Sequence, residues 1–222
     1  MKLLALSTSG PSASAALLED GVLLGFCEAA HGPAHSETIL PLAEELLRER
    51  GLCPADMDAF AVDVGPGSFT GVRIGVSIAN ALGFAAGKPV IPVDSLTALS
   101  YNARGEDTVA ALLDARNGTG YAATFENGVC TYGPAAVVTA EYLAAVPEHA
   151  LILGDGAEKC RAVIESIVKS PRFDDEKNRL TADKVALAAY DACKHGAGER
   201  EVKPLYLRPS QAERMYEAKH AK

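Results

Sequence analysis

One turn and one strand end recur along this chain at a single spacing, and that recurrence restricts the fold more than any other feature. Asp20-Gly21 and Asn127-Gly128 each divide two apolar runs, and both dipeptides favour a tight hairpin because each residue tolerates positive φ. Asp20 to Asn127 and Ser7 to Asp114 span the same offset of 107 residues (127 − 20 and 114 − 7). Ser7 closes the apolar run from Leu3, and Asp114 closes the one from Thr108. Residues 12–18 and 22–27 flank the first turn; Tyr121–Phe125 and Val129–Tyr132 flank the second. The pattern predicts a duplicated three-strand meander.

After the first meander, Ile39, Ala43, Leu46 and Leu47 stand at helical spacing, predicting a helix from Ser36, its capping residue, to Arg50, with Gly51 as the stop. A strand over 59–64, the loop Gly65-Pro66-Gly67-Ser68-Phe69-Thr70-Gly71, a helix over 72–86 ended by Gly87, and a strand over 90–93 follow. In the second half Leu151–Leu153, a glycine turn at Gly154 to Gly156 and a helix over 157–168 repeat strand, turn and helix at a shortened offset. The reading is α/β: two duplicated lobes, 1–103 and 104–222, with mixed sheets covered by helices and a boundary at Ala103-Arg104-Gly105-Glu106. This resembles the actin-like, sugar-kinase-like ATPase (ASKHA) architecture. The segment 194–222, rich in both charge signs, is expected to return as a helix or tail.

A net charge of −8 argues against independent nucleic-acid binding, because displacing phosphate counterions needs Lys and Arg. No run of about 18 apolar residues suggests a bilayer-crossing helix. Ser7 to Pro11 interrupts the N-terminal leucines too early for a signal peptide. The expectation is a cytoplasmic chain with no membrane contact. Its 5 cysteines are widely spaced and form no Cys-x-x-Cys pair, so buried thiols are expected.

The glycine loop between strand and helix supports two readings. Gly65, Gly67 and Ser68 could cradle a phosphate at the helix N-terminus, with Asp114 as the second lobe's carboxylate. Alternatively the glycines permit a sharp turn and Ser68 or Thr70 caps the helix. The loop lacks the Gly-Lys-Ser/Thr of a Walker A sequence. Along the next helix, Gly71, Gly75, Ala79 and Gly83 share one face. Each interior glycine costs about 1 kcal/mol relative to Ala, so the stripe needs a packing reason: the chain's own sheet, or a partner. Arg73 could meet a partner carboxylate or stay solvated.

The longer string GPGSFTGVRIG from Gly65 to Gly75 resembles the TsaB (YeaZ) family. The opening Leu-Ala-Leu-Ser-Thr-Ser, His35-Ser36-Glu37 with Leu40-Pro41-Leu42, Pro92 to Leu96, Leu113 to Arg116 and Lys203 to Arg208 agree in order. The resemblance implies a non-catalytic homologue that pairs with the catalytic subunit TsaD. With the ATPase TsaE it supports formation of N6-threonylcarbamoyladenosine at position 37 of tRNAs reading ANN codons. It implies that tRNA is met only through the complex, and that this chain alone binds no cofactor, ATP or ADP entering only in the assembly. The implied interface comprises His35, Ser36, Glu37 and Ile39 of one helix with Gly71, Arg73, Gly75, Ala79 and Gly83 of the next; without TsaD the same face could form a homodimer. Gly75→Leu is then expected to weaken the complex and leave the monomer folded.

The remaining residues do not assemble a working enzyme. Ser7 stands where such an ATPase needs a carboxylate for Mg²⁺, and where the family pattern often carries Asp. TsaD binds metal through two histidines four apart after the strand matching 90–93; Ser95 and Leu99 occupy those positions here. His31 and His35 have zinc-ligand spacing, but Gly32-Pro33 between them opposes a regular helix, and His35 is read as bonded locally at the helix start. Ser68 lies outside any Gly-x-Ser-x-Gly pattern. No catalytic or metal residue is assigned. The alternatives are an active kinase or ATPase of the same fold, and a peptidase.

Overall fold

The computed structural model describes residues 1–29 and 35–209. Strands β1 (Lys2–Ser7), β2 (Ser14–Glu19) and β3 (Val22–Glu28) form the first meander, and Asp20 and Gly21 both adopt positive φ at its turn. Helix α1 (His35–Arg48) leads to β4 (Ala59–Asp63), α2 (Phe69–Ala86), β5 (Val90–Val93) and α3 (Ser95–Ser100). The second copy runs β6 (Thr108–Asp114), β7 (Thr119–Glu126), β8 (Val129–Val138), α4 (Thr139–Ala144), β9 (Leu151–Leu153), α5 (Asp155–Lys159), α6 (Arg161–Ile167), β10 (Arg172–Phe173) and α7 (Ala182–Cys193).

The two five-stranded sheets have orders β3-β2-β1-β4-β5 and β10-β9-β6-β7-β8. Read from opposite edges these are one topology: the first strand is central, its hairpin partners lie to one side, and the fourth and fifth strands lie parallel to it on the other. The duplicated meander predicted from the two turns is present, with Asn127 and Gly128 also at positive φ. β1 and β4 read as unbroken apolar runs because both of their faces are covered. Leu4, Leu6, Phe60 and Val62 lie under α1 and α2, while Leu3, Ala5, Ala61 and Ile91 share the opposite face with α7.

Two helices cross the expected division into lobes 1–103 and 104–222. Helix α3, of the first copy, sinks Leu96 and Leu99 into the second sheet's core beside Val109, Ala111 and Phe125. Helix α7, of the second copy, lays Ala182, Val185, Ala186 and Ala189 on the first sheet. The two copies thus exchange their last helices, and Tyr101, just past α3, donates from its hydroxyl to Asp191 of α7 at 3.1 Å. Beyond α7 the chain also stays with the first sheet. Glu199 and Val90 exchange two backbone hydrogen bonds of 2.8 Å, Val202 and the Asn80 amide bond reciprocally at 2.9 and 3.0 Å, and Leu205 N–H donates to Val64 O at 2.7 Å. The expected tail is, through Tyr206, a strap over α2, after which Arg208 Nη1 donates to Thr119 Oγ1 of β7 at 2.5 Å; residues 210–222 lie outside the described residues.

Several boundaries move for local reasons. α1 already includes His35, so Ser36 sits in its first turn rather than capping it; His31, Gly32 and Pro33 lie outside the described residues. α2 opens at Phe69, with Ser68 as its cap accepting from Gly71 N–H at 3.2 Å and Gly87 closing it in the left-handed conformation. The expected helix over 157–168 is two short ones meeting at Cys160. α2 also has the length and apolar composition of a membrane-crossing helix, contrary to the expectation from the sequence. Its Gly71, Val72, Gly75, Val76, Ala79 and Gly83 are instead buried within the fold.

Candidate functional site

Parallel strands β1, β4 and β5 end together, and such carboxyl ends form the crevice where open α/β sheets place their ligands. Ser7 ends β1, Asp63 ends β4 and Ser95 opens α3 immediately after β5. These side chains converge. Asp63 is fully buried; its Oδ1 accepts from Gly65 N–H at 2.9 Å and from Ser95 Oγ at 2.6 Å, and its Oδ2 accepts from Ser7 Oγ at 3.1 Å and from Ser9 Oγ. Four donors fill the roughly four lone-pair sites of a carboxylate. The group therefore has no free site for a metal-bound water or a substrate proton, and it ties the loops leaving three strands together.

Burial pushes the Asp63 carboxyl above its ordinary 3.8, against the opposing pull of Ser9, Ser95, Gly65 and Ser7. A raised folded-state value means that ionisation opposes folding. The stabilisation is complete below the unfolded value and is lost as pH rises through the folded one. Compared with Asp63→Asn, the wild-type chain is expected to lose stability as pH climbs from below the ordinary 3.8 into the range above it. Denaturation midpoints across that range test this, and parallel pH profiles for the two proteins would refute it. Sequence reasoning missed Asp63, although an acid ending a wholly apolar strand was a signal available there.

The glycine loop is clamped onto the segment after β1. Ser68 N–H donates to Ser9 O at 2.9 Å, and Thr8 Oγ1 donates to Gly71 O at 2.7 Å. A Cβ on Gly67 would stand 2.8 Å from Ser9 O, and one on Gly71 only 2.0 Å from Thr8 O. The N–H groups of Gly65, Ser68 and Gly71 are already bonded to Asp63, Ser9 and the Ser68 hydroxyl. The amides of Gly65 and Ser68 are thus turned inward, which favours the turn-and-cap reading over a phosphate cradle built on Gly65, Gly67 and Ser68. Asp114 is likewise engaged. It accepts from Arg116 N–H at 2.9 Å and lies 3.6 Å from Lys159 Nζ. Ser95 serves Asp63, and Leu99 is core.

The small-residue stripe also has an internal explanation, which corrects its assignment to a partner. A Cβ on Gly75 would meet Thr8 Oγ1 at 2.5 Å, and one on Gly83 would meet Val90 Cγ2 at 2.6 Å; Ala79 is fully buried. Gly71, Gly75, Ala79 and Gly83 are the contact of α2 with its own sheet. Ile39 is core as well. Of the expected interface residues, Ser36, Glu37 and Arg73 face outward, while His35 is half-buried and its Nδ1 has no hydrogen-bond partner among the described residues.

The outward face of α1 and α2 carries apolar residues that the stripe distracted from: Leu40, Phe69 and Phe84, the last 89% exposed. Arg73 is exposed but held on one side. Its guanidinium lies 4.0 Å from the Phe69 ring centroid, and its Nε donates to the Tyr206 hydroxyl at 2.6 Å. Tyr206 in turn stacks on Phe69 with centroids 4.9 Å apart, so the strap completes this end of the face.

Fold and crevice together place the molecule in the actin-like, sugar-kinase-like class. The ROK hexokinase of Thermus thermophilus matches 87% of the chain with a TM-score of 0.52 at 16% identity, a likeness of fold alone. A family model for TsaD, tRNA N6-adenosine threonylcarbamoyltransferase, matches residues 28–169. The tRNA threonylcarbamoyladenosine biosynthesis protein TsaB of Haemophilus influenzae is 43% identical over 119 residues, 52% of this chain and 50% of that protein. The protein of the same name from Escherichia coli is 38% identical over 58% of each chain, and that from Bacillus subtilis 29% identical over 96% of each. Among solved structures, a Pseudomonas aeruginosa protein described as similar to the peptidase YEAZ has a TM-score of 0.79 at 30% identity, covering 93% of this chain and 99% of its own. The chain belongs to the TsaB (YeaZ) family. It spans about half the length of the first two of these relatives in their alignments, 50% and 58%.

Proposed function

We propose that this chain is a non-catalytic subunit in the biosynthesis of threonylcarbamoyladenosine in tRNA, acting by holding a TsaD partner. The observation that carries this reading is the state of the crevice: its buried carboxylate is saturated by four internal donors, and its glycine loop spends the amides of Gly65, Ser68 and Gly71 on internal acceptors. Family membership and the exposed Leu40, Phe69 and Phe84 on α1 and α2 support a role through contact rather than chemistry. TsaD covers that outward face, not the glycine stripe. In isolation the same face pairs two copies of the chain. TsaE joins the assembly, ATP or ADP binds only there, and tRNA is engaged through the complex, consistent with the −8 charge. The setting is the cytoplasm.

Reconstitution tests the proposal. With TsaD, TsaE, tRNA and threonylcarbamoyl-adenylate, modification is expected to require this chain, while the chain alone modifies no tRNA. Undiminished modification in its absence would overturn the reading.

A further inference from the structure

Away from the crevice, the second lobe contains a cavity of about 620 Å³ between β8 and α4. It arises because the β7–β8 ladder loses register at two places, Ala122/Thr124 and Thr124/Phe125, so the long edge strand bends away before α4 closes the far side. Its inner wall is aromatic. The Tyr142 hydroxyl is held by Thr124 Oγ1 at 2.9 Å and Ala123 O at 3.1 Å, which fixes that ring. The half-exposed Tyr132 ring lies beside it with centroids 5.6 Å apart.

Two carboxylates, Glu126 and Glu141, belong to the lining, which contains no Lys, Arg or His. Neither is in an ion pair among the described residues; Glu126 takes only a long 3.5 Å contact from Thr131 Oγ1. An anion entering here meets two like charges, whereas a cation is drawn to the exposed Glu126 and Glu141. A cation on an apolar stem satisfies both features, since the tyrosine faces attract positive charge and the apolar wall takes the stem. We propose that this cavity binds a small organic cation of the alkylguanidinium or alkylammonium class, its charge toward Glu126 and Glu141 and its stem against Tyr132 and Tyr142.

Butylguanidinium and its neutral isostere butylurea, titrated into the full chain and followed by amide NMR shifts, test this. Butylguanidinium is expected to give saturable shifts centred on Glu126, Thr131, Tyr132 and Glu141. Binding should weaken with added salt, and weaken at least tenfold in the Glu126→Gln, Glu141→Gln double variant. Equal binding of butylurea, insensitivity to salt, or an absence of saturable shifts at these residues would each overturn the proposal. The salt series on the wild-type chain keeps the test decisive if the variant is unstable.

Discussion

Gly71→Ala is expected to destabilise the isolated chain by about 3 kcal/mol, the upper part of the overpacking range. The new methyl would lie 2.0 Å from Thr8 O, a backbone atom of the segment that Ser9 and Thr8 tie to the glycine loop. No flexible side-chain tip can yield there, so β1's exit or the start of α2 must move. The gain in helix propensity, about 1 kcal/mol, is too small to offset this. Gly75→Leu is expected to do more harm, since its Cβ would stand 2.5 Å from Thr8 Oγ1 and 3.4 Å from Val62 Cγ2 before the rest of the side chain is placed. With total stability of about 5–15 kcal/mol in an ordinary domain, that variant should be largely unfolded or severely weakened. Ala81→Leu, on the exposed side of the same helix, should stay within about 0.5 kcal/mol of wild type. Urea denaturation followed by far-UV circular dichroism distinguishes the cases. A Gly75→Leu chain with an unchanged midpoint would return the stripe to the surface.

The double variant Leu40→Glu, Phe84→Glu is expected to weaken the complex with TsaD about 100-fold or more, roughly 2.7 kcal/mol, while leaving the monomer's melting transition in place. Phe84 is almost wholly exposed and Leu40 about half exposed in the isolated chain, so replacing them removes little internal packing. In a complex, each substitution would both delete an apolar anchor and force a carboxylate out of water without a partner. Titration calorimetry on the folded variant reads the effect. Full affinity would place the partner on another surface. This test also separates the two faces of α2: the glycine face should report only stability, and the outward face only association.

The elements that were legible in advance share a cause. The Asp20-Gly21 and Asn127-Gly128 turns, the apolar strands β1, β4 and β6, and the Gly51 and Gly87 helix stops are set by neighbours within a few residues, through backbone conformations that only certain residues adopt cheaply. The string GPGSFTGVRIG and the fragments in register with it were sufficient to place the chain in its family. What was missed depends on distant partners. α7 is an alanine-rich segment of modest periodicity, and its home on the other copy's sheet follows from the shape of that sheet. Asp63 looked like the end of a strand until Ser7, Ser9 and Ser95, brought from two other places in the chain, surrounded it. The glycine stripe announced close packing but not its partner, because a small-residue face fits a neighbouring sheet and another molecule equally well.

The sequence by itself determined the duplicated architecture, the family and the missing carboxylate at Ser7, since each is written in contiguous residues or in a fixed offset between them. Tertiary structure alone decided which face of α2 is spent inside the molecule, that the terminal helices are exchanged between the copies, and that Arg73 is held by Phe69 and by Tyr206 from the C-terminal strap. These outcomes turn on which surfaces meet when separated segments fold together, and the interactions that select them are short-ranged in space while remote along the chain.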